Sequence, residues 1–164
     1  MKALVLMFAA LAACGGASHG VAPLAPLGEP IALALPALDG GELEVARYRG
    51  QVVVLHVFTT GSLAAAADVD QLEAAATAKR AIVIGIALDL DGRALVAPWR
   101  TGSGVTYLVA LADPRVRDGT SPLGAVTAVP MTIVLDRRGR PVARIERQLA
   151  AGELDTVIAG AAAP

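Results

Sequence analysis

Sulfur chemistry is almost missing from this chain. Cys14 is its single cysteine among 164 residues, so no disulfide can form within it. Histidine occurs twice, as His19 and His56, and aromatic residues make up only 3%. Any core must therefore be built from Ala, Val, Leu and Ile rather than from large rings. An excess of either charge is also absent: 14 basic residues face 15 acidic ones, for a net charge of −1. A field that weak gives no footprint for nucleic acid, which is excluded as a partner. What is plentiful is apolar residues, at 55%. The length suits one domain, large enough to bury a core without covalent staples, plus an N-terminal leader.

The first residues read as that leader. Lys2 is a minimal positive start, and Ala3 to Ala10 is an apolar stretch. The stretch is too short for a spanning helix, which needs ~20 apolar residues, but it fits a signal h-region. Leu11-Ala12-Ala13-Cys14 resembles the bacterial lipobox. That resemblance implies cleavage before Cys14 and acylation of its sulfur and new N-terminus, which together satisfy the two-signal requirement for stable anchoring. Cleavage removes one basic residue and no acid, moving the charge from −1 to −2. The expected organisation is a signal peptide over 1–13, a Gly-, Ala- and Pro-rich lipidated tether over 14–28, and one domain over 29–164.

Periodicity outlines that domain. Ile31, Leu33 and Leu35 alternate between Pro30 and Pro36, and Asp39-Gly40-Gly41 turns the chain into a second short strand at Leu43 and Val45. Val52 to Phe58 is an unbroken apolar run of the kind buried on both faces of a sheet. Ser62 to Lys79 carries Leu63, Ala66, Val69, Leu72 and Ala76 at helical spacing. Ala81 to Leu88 is another buried strand, Gly92 to Arg100 a helix, and Tyr107 to Leu111 a third apolar run. Asp113 to Gly124 reads as loop. Met131 to Leu135 and Pro141 to Ile145 form a hairpin across Arg137-Arg138-Gly139-Arg140, and Ala151 to Ala161 closes as a helix. This order predicts an α/β domain with a mixed central sheet, helices on both faces and an N-terminal β-hairpin extension.

Several segments in that order resemble the thioredoxin-like envelope proteins of the TlpA type, relatives of the redoxins and of the peroxiredoxins of the AhpC-TSA class. They are Gly28-Glu29-Pro30, Leu38-Asp39-Gly40, Tyr48-Arg49-Gly50 before a Val-rich strand, Val129-Pro130-Met131-Thr132, and Asp136-Arg137-Arg138-Gly139. The resemblance implies a thioredoxin-like three-layer sandwich. The family's active segment reads Phe-Trp-Ala-Thr-Trp-Cys-Pro-Pro-Cys, and Val57-Phe58-Thr59-Thr60-Gly61-Ser62-Leu63-Ala64-Ala65 lies over it without a gap. Thr60 coincides with the family's threonine. Ser62 takes the place of the attacking cysteine and Ala65 that of the resolving one.

Those two replacements decide the chemistry. Disulfide exchange needs a thiolate to attack sulfur, and a helix N-terminus arms a cysteine for this by lowering its pKa below ~8.5. A serine hydroxyl does not ionise usefully near neutral pH, and a methyl group has no chemistry. The copper-delivery relatives of this fold use two cysteines and a histidine, which this chain does not supply. No catalytic residue, metal or cofactor is expected. Ser62 reads as an N-cap. His56, six residues before it on a strand, is separated by up to ~20 Å of extended chain and reads as a core histidine. Asp68, Asp70 and Glu73 scatter around the first helix, where acids suit the helix dipole. Asp89 and Asp91 read as a solvated turn rather than a cation site, and Arg137, Arg138, Arg140, Arg144 and Arg147 as a charged edge that deters aggregation rather than a contact for anionic lipid or a partner carboxylate.

In thioredoxin-like folds the Val129-Pro130 proline resembles the cis-proline beside the active helix, where substrates lay an extended segment against the backbone. Thr60, Ser62, Val129 and Pro130 are therefore the candidate binding residues, by strand addition. The expected role is a redox-inactive module, lipid-anchored in the bacterial envelope and facing the periplasm, that binds an envelope protein or peptide. Two alternatives stay open: an enzyme of this superfamily, or of other chemistry at the Ser62 pocket, and a decayed paralogue.

Overall fold

The computed structural model describes residues 24–163. The leader, Cys14 and His19 lie outside them.

The domain is built on a five-stranded sheet. Its strands are β3 (Val53–Phe58), β4 (Ile82–Ala87), β5 (Leu108–Leu111), β6 (Met131–Leu135) and β7 (Pro141–Ile145). The order across the sheet is β5-β4-β3-β6-β7. β3, β4 and β5 run parallel, while β6 and β7 are antiparallel to their neighbours. β3 sits at the centre with all six residues buried, as its unbroken apolar run requires. A separate hairpin of β1 (Ala34–Pro36) and β2 (Glu42–Glu44) precedes it, turning at Gly40 and Gly41, both at positive φ.

Among the described residues four α-helices complete the fold: α1 (Leu63–Thr77), α2 (Arg93–Gly102), α3 (Pro114–Asp118) and α4 (Glu153–Ala162). Alternating strand residues feed two cores. One contains Val54, Val83, Val109 and Val134 with Leu72 of α1, Val96 of α2 and Leu154 of α4. The other contains Val53, Leu55, Ile84 and Ile133 with Leu35 and Leu43 of the hairpin and Val116 of α3. The architecture is the expected three-layer α/β sandwich with a mixed sheet, but the layers are unequal: the hairpin and one five-residue helix cover the second face.

Local differences from the sequence reading have physical causes. The first strand narrows to Ala34–Pro36: the buried Ile31 donates its amide to Gly139 O at 2.8 Å instead, and Leu33, whose O still accepts the amide of its register partner Val45 at 2.9 Å, loses the second strand where Val45 turns away. Val45 opens a 3₁₀ turn through Tyr48 instead of extending β2. The segment 113–124 is not all loop. Asp113 Oδ1 accepts the Val116 amide at 3.0 Å, Pro114 takes the first helical position, and Gly119 ends the turn at φ 80°. An acid cap, an N1 proline and a left-handed glycine are the ordinary punctuation of a short helix.

Candidate functional site

The C-terminal ends of β3 and β4 lie side by side, with Phe58 paired to Ala87. Beyond Phe58 the chain turns tightly, the Ser62 amide donating to Thr59 O at 3.1 Å. Ser62 is extended (φ −81°, ψ 113°), and its Oγ accepts the Ala65 amide at 3.2 Å, which makes it the N-cap of α1. Ala65 is buried at 2% exposure. Residues 62 and 65 thus occupy the first turn of the helix that leaves the first central strand.

Thr60 is held more firmly than its neighbours. Its Oγ1 donates to Asp89 Oδ1 at 2.6 Å, and its amide reaches both carboxylate oxygens at 3.1 and 3.2 Å. Asp89 is therefore a structural anchor between the β3 and β4 exits rather than a solvated turn residue. It shows no local signature in the sequence, because its partner lies 29 residues away. Arg117 adds to the same corner, donating to Leu88 O and Asp89 O at 3.3 Å each.

On the other side of β3, Val57 pairs with Met131. Pro130, buried and preceded by a cis peptide bond from half-buried Val129, stands beside the β3 exit. Thr60, Ser62, Val129 and Pro130 come from the ends of β3 and β6 and the start of α1, and share one pole of the sheet. Two apolar side chains stand open there: Leu63, next to the cap, is 88% exposed, and Leu90, next to Asp89, is 87% exposed. The surface is a shelf. The larger cavities, of about 420 and 500 Å³, open elsewhere, the first at Asp39, Arg93 and Arg100 and the second at the β6–β7 turn.

Three buried polar groups lie beneath α1. His56 is 1% exposed, and its Nδ1 lies 3.0 Å from Thr132 Oγ1 while Nε2 has no partner. Burial lowers its pKa to about 4. Its ring stacks at 6.0 Å on Phe58, which in turn meets Trp99 at 4.5 Å. His56 is a core histidine, but only half satisfied, and its hydrogen bond goes to Thr132, not to Ser62. Asp68 is not a solvated helix-dipole acid. It is fully buried, its Oδ1 accepts the Leu149 amide at 2.9 Å, and its Oδ2 is unpartnered. Burial raises its pKa to about 6, against the opposing hydrogen bond from Leu149, and the Glu153 charge raises it further. The Tyr107 hydroxyl is buried without a partner, and burial with the nearby Glu73 and Asp68 charges pushes its pKa up. The helical period placed Asp68 on α1 but not on its inner face, since only the docking of the Leu149 loop makes that face interior. Glu73 accepts from the Thr106 amide at 3.0 Å, tying α1 to the start of β5, while Asp70 is exposed. Among the described residues no three His, Cys, Asp or Glu side chains converge as metal ligands.

No protein-family model matches the chain, and no curated protein does. Solved structures do. A secreted thiol-disulfide isomerase from Corynebacterium glutamicum superimposes with a TM-score of 0.71 at 22% identity, over 81% of this chain and 85% of that one. A DsbF homologue from Corynebacterium diphtheriae gives 0.71 at 24% identity, over 87% and 94%. A thiol:disulfide interchange protein of the thioredoxin family from Chlorobium tepidum gives 0.67 at 21%, over 84% and 95%. The fold is thioredoxin-like.

Proposed function

We propose that this chain is a membrane-tethered thioredoxin-like module without thiol–disulfide chemistry, which holds an extended segment of an envelope protein against the shelf at Thr60, Ser62, Val129 and Pro130. The observation that carries this reading is the state of positions 62 and 65. Ser62 Oγ is committed to the helix as acceptor of the Ala65 amide, and residue 65 is a buried methyl group. Neither can form or resolve a mixed disulfide. The only sulfhydryl of the sequence, at Cys14, belongs to the lipobox-like segment, and an acylated sulfur is not a thiol.

The binding half of the reading draws support from the shelf itself. The Asp89 carboxylate fixes the Thr60 backbone, so the strand exit is preorganised. Leu63 and Leu90, next in sequence to Ser62 and Asp89, expose apolar surface at the same pole, as a site for an apolar extended segment requires. An envelope location is consistent with the Cys14 leader and with the C. glutamicum structure, which is of a secreted protein.

The test is site-specific photo-crosslinking of the full chain in its native envelope. A photoreactive residue replacing Leu63 or Leu90 should give the same discrete protein adduct, and one replacing Arg47, away from the shelf, should not. Equal labelling from all three positions, or none from the two leucines, would remove the shelf as a binding site.

A further inference from the structure

We infer that the pole opposite the shelf is a contact surface for anionic phospholipid headgroups, which turns the shelf away from the bilayer.

The two poles are the two ends of β3. The shelf lies beyond Phe58; the second pole lies before Val53, about 20 Å away at ~3.3 Å per strand residue. Six cations collect there from three separate connections. Arg49 precedes β3, Lys79 and Arg80 precede β4, and Arg137, Arg138 and Arg140 make the β6–β7 turn. Packing makes them contiguous. Lys79, Arg80 and Arg137 line one depression of about 200 Å³. Arg137, Arg138 and Arg140 line the adjoining cavity of about 500 Å³. The Arg49 side chain reaches over the Gly139 turn. Arg80 and Arg140 are matched by Asp155 and Asp136 at 2.6 and 2.7 Å, which leaves Arg49, Lys79, Arg137 and Arg138 without an ion pair among the described residues. The shelf pole differs: Arg115 there is paired with Asp113, and Arg117 is spent on backbone carbonyls.

Two further observations point to a bilayer. The described chain enters the fold at this pole, since Leu24 lines the cavity with the arginines and its amide donates to Gly160 O at 3.3 Å. Ten chain steps lead from Cys14 to Leu24, a reach of at most ~35 Å, so an anchor at Cys14 would bring lipid to these cations. Lys79 also holds a left-handed backbone, φ 53°, at the end of α1. Glycine or asparagine is the usual residue there, whereas here a lysine takes the position and lines the depression with Arg80 and Arg137. Cations at a membrane surface draw on the negative potential of anionic lipids, additively and within a Debye length.

This surface deepens the tethered-module reading and borrows its anchor, but it is tested separately. The full-length protein is co-sedimented with vesicles of phosphatidylcholine alone and with vesicles that also contain phosphatidylglycerol. Any anchor contributes equally to both, so their ratio reports the headgroup charge. The wild type should prefer the anionic vesicles by about tenfold or more at low salt, and the preference should collapse at high salt. The variant Lys79→Gly/Arg137→Gln/Arg138→Gln should bind both vesicles alike. Arg115→Gln/Arg117→Gln, at the shelf pole, should retain the preference, and circular dichroism should show both variants folded. Equal binding of the wild type to both vesicles would overturn the inference, as would an undiminished preference in the triple variant. A salt-sensitive association with an acidic envelope protein, without vesicle preference, would also overturn it. Loss of all binding to neutral vesicles would instead count against the anchor alone.

Discussion

Thr60 and Asp89 lock the exits of the two central parallel strands together, hydroxyl and amide both donating to one carboxylate. Thr60→Val deletes the 2.6 Å bond while keeping shape and leaves the carboxylate less satisfied. A lost bond to a charged acceptor costs ~1.5–3 kcal/mol, and partial exposure of this corner puts the expected loss near the lower end. The midpoint of urea unfolding measures it. An unchanged midpoint would mean the lock contributes nothing to stability.

The register of the shelf predicts its own repair. Ser62→Cys/Ala65→Cys places two cysteines at the cap and the third residue of α1, a spacing that accommodates disulfide geometry. The pair should oxidise in air, detected as a mass loss of two hydrogens, and should catalyse insulin reduction by dithiothreitol. Persistent free thiols would mean that residues 62 and 65 do not face each other as the fold places them. Ser62→Ala alone should cost ~1 kcal/mol through loss of the cap.

Gly85 sits at a tight spot in the α1-side core. A Cβ there would stand 3.1 Å from Phe58 Cε1 and 3.2 Å from Tyr107 Cε2. Phe58 cannot swing freely, since it is packed against Trp99 and His56. Gly85→Ala should therefore destabilise by ~1–3 kcal/mol through overpacking, read as a lowered thermal midpoint. A neutral or raised midpoint would show that the rings repack.

Asp68 and His56 should oppose each other in acid. Asp68 has a raised pKa of about 6 in the fold, so the native state binds more protons than the unfolded chain. Its contribution is greatest below the unfolded value and is lost as pH rises through 6. His56 has a lowered pKa of about 4. Its contribution is full above its unfolded value, near 6.5, and is lost as pH falls toward 4. Both shifts correspond to up to ~3 kcal/mol, and they nearly cancel between pH 4 and 6. Asp68→Asn should unmask the histidine: stability at neutral pH rises, and it falls steeply on acidification. His56→Gln should show the reverse slope. Denaturant titrations across that range check both, and parallel profiles for the two variants would refute the pairing.

The fold was legible because its signals are local. The unbroken run Val52 to Phe58, the helical spacing after Ser62 and the Arg-Arg-Gly-Arg turn each announce an element without reference to a partner, and the Ser62 cap lies three residues from the amide it serves. What stayed hidden depends on packing across the sequence. Asp89 gains its role from Thr60, Asp68 from Leu149 across 81 positions, and His56 from Thr132 across 76. The basic pole is likewise dispersed in sequence, over Arg49, Lys79 and Arg137, and assembles only when three strand ends meet. The short helix at 114–118 is the exception, since its cap, proline and glycine were all local.

With serine at position 62 and a methyl group at position 65, the proposed module should perform no thiol–disulfide exchange. Insulin reduction by dithiothreitol, followed as turbidity with the purified wild-type chain present, checks this. Turbidity should appear no sooner than in buffer, while Ser62→Cys/Ala65→Cys should accelerate it under the same conditions. Catalysis by the wild type above the buffer rate would show that the chain carries out the exchange after all.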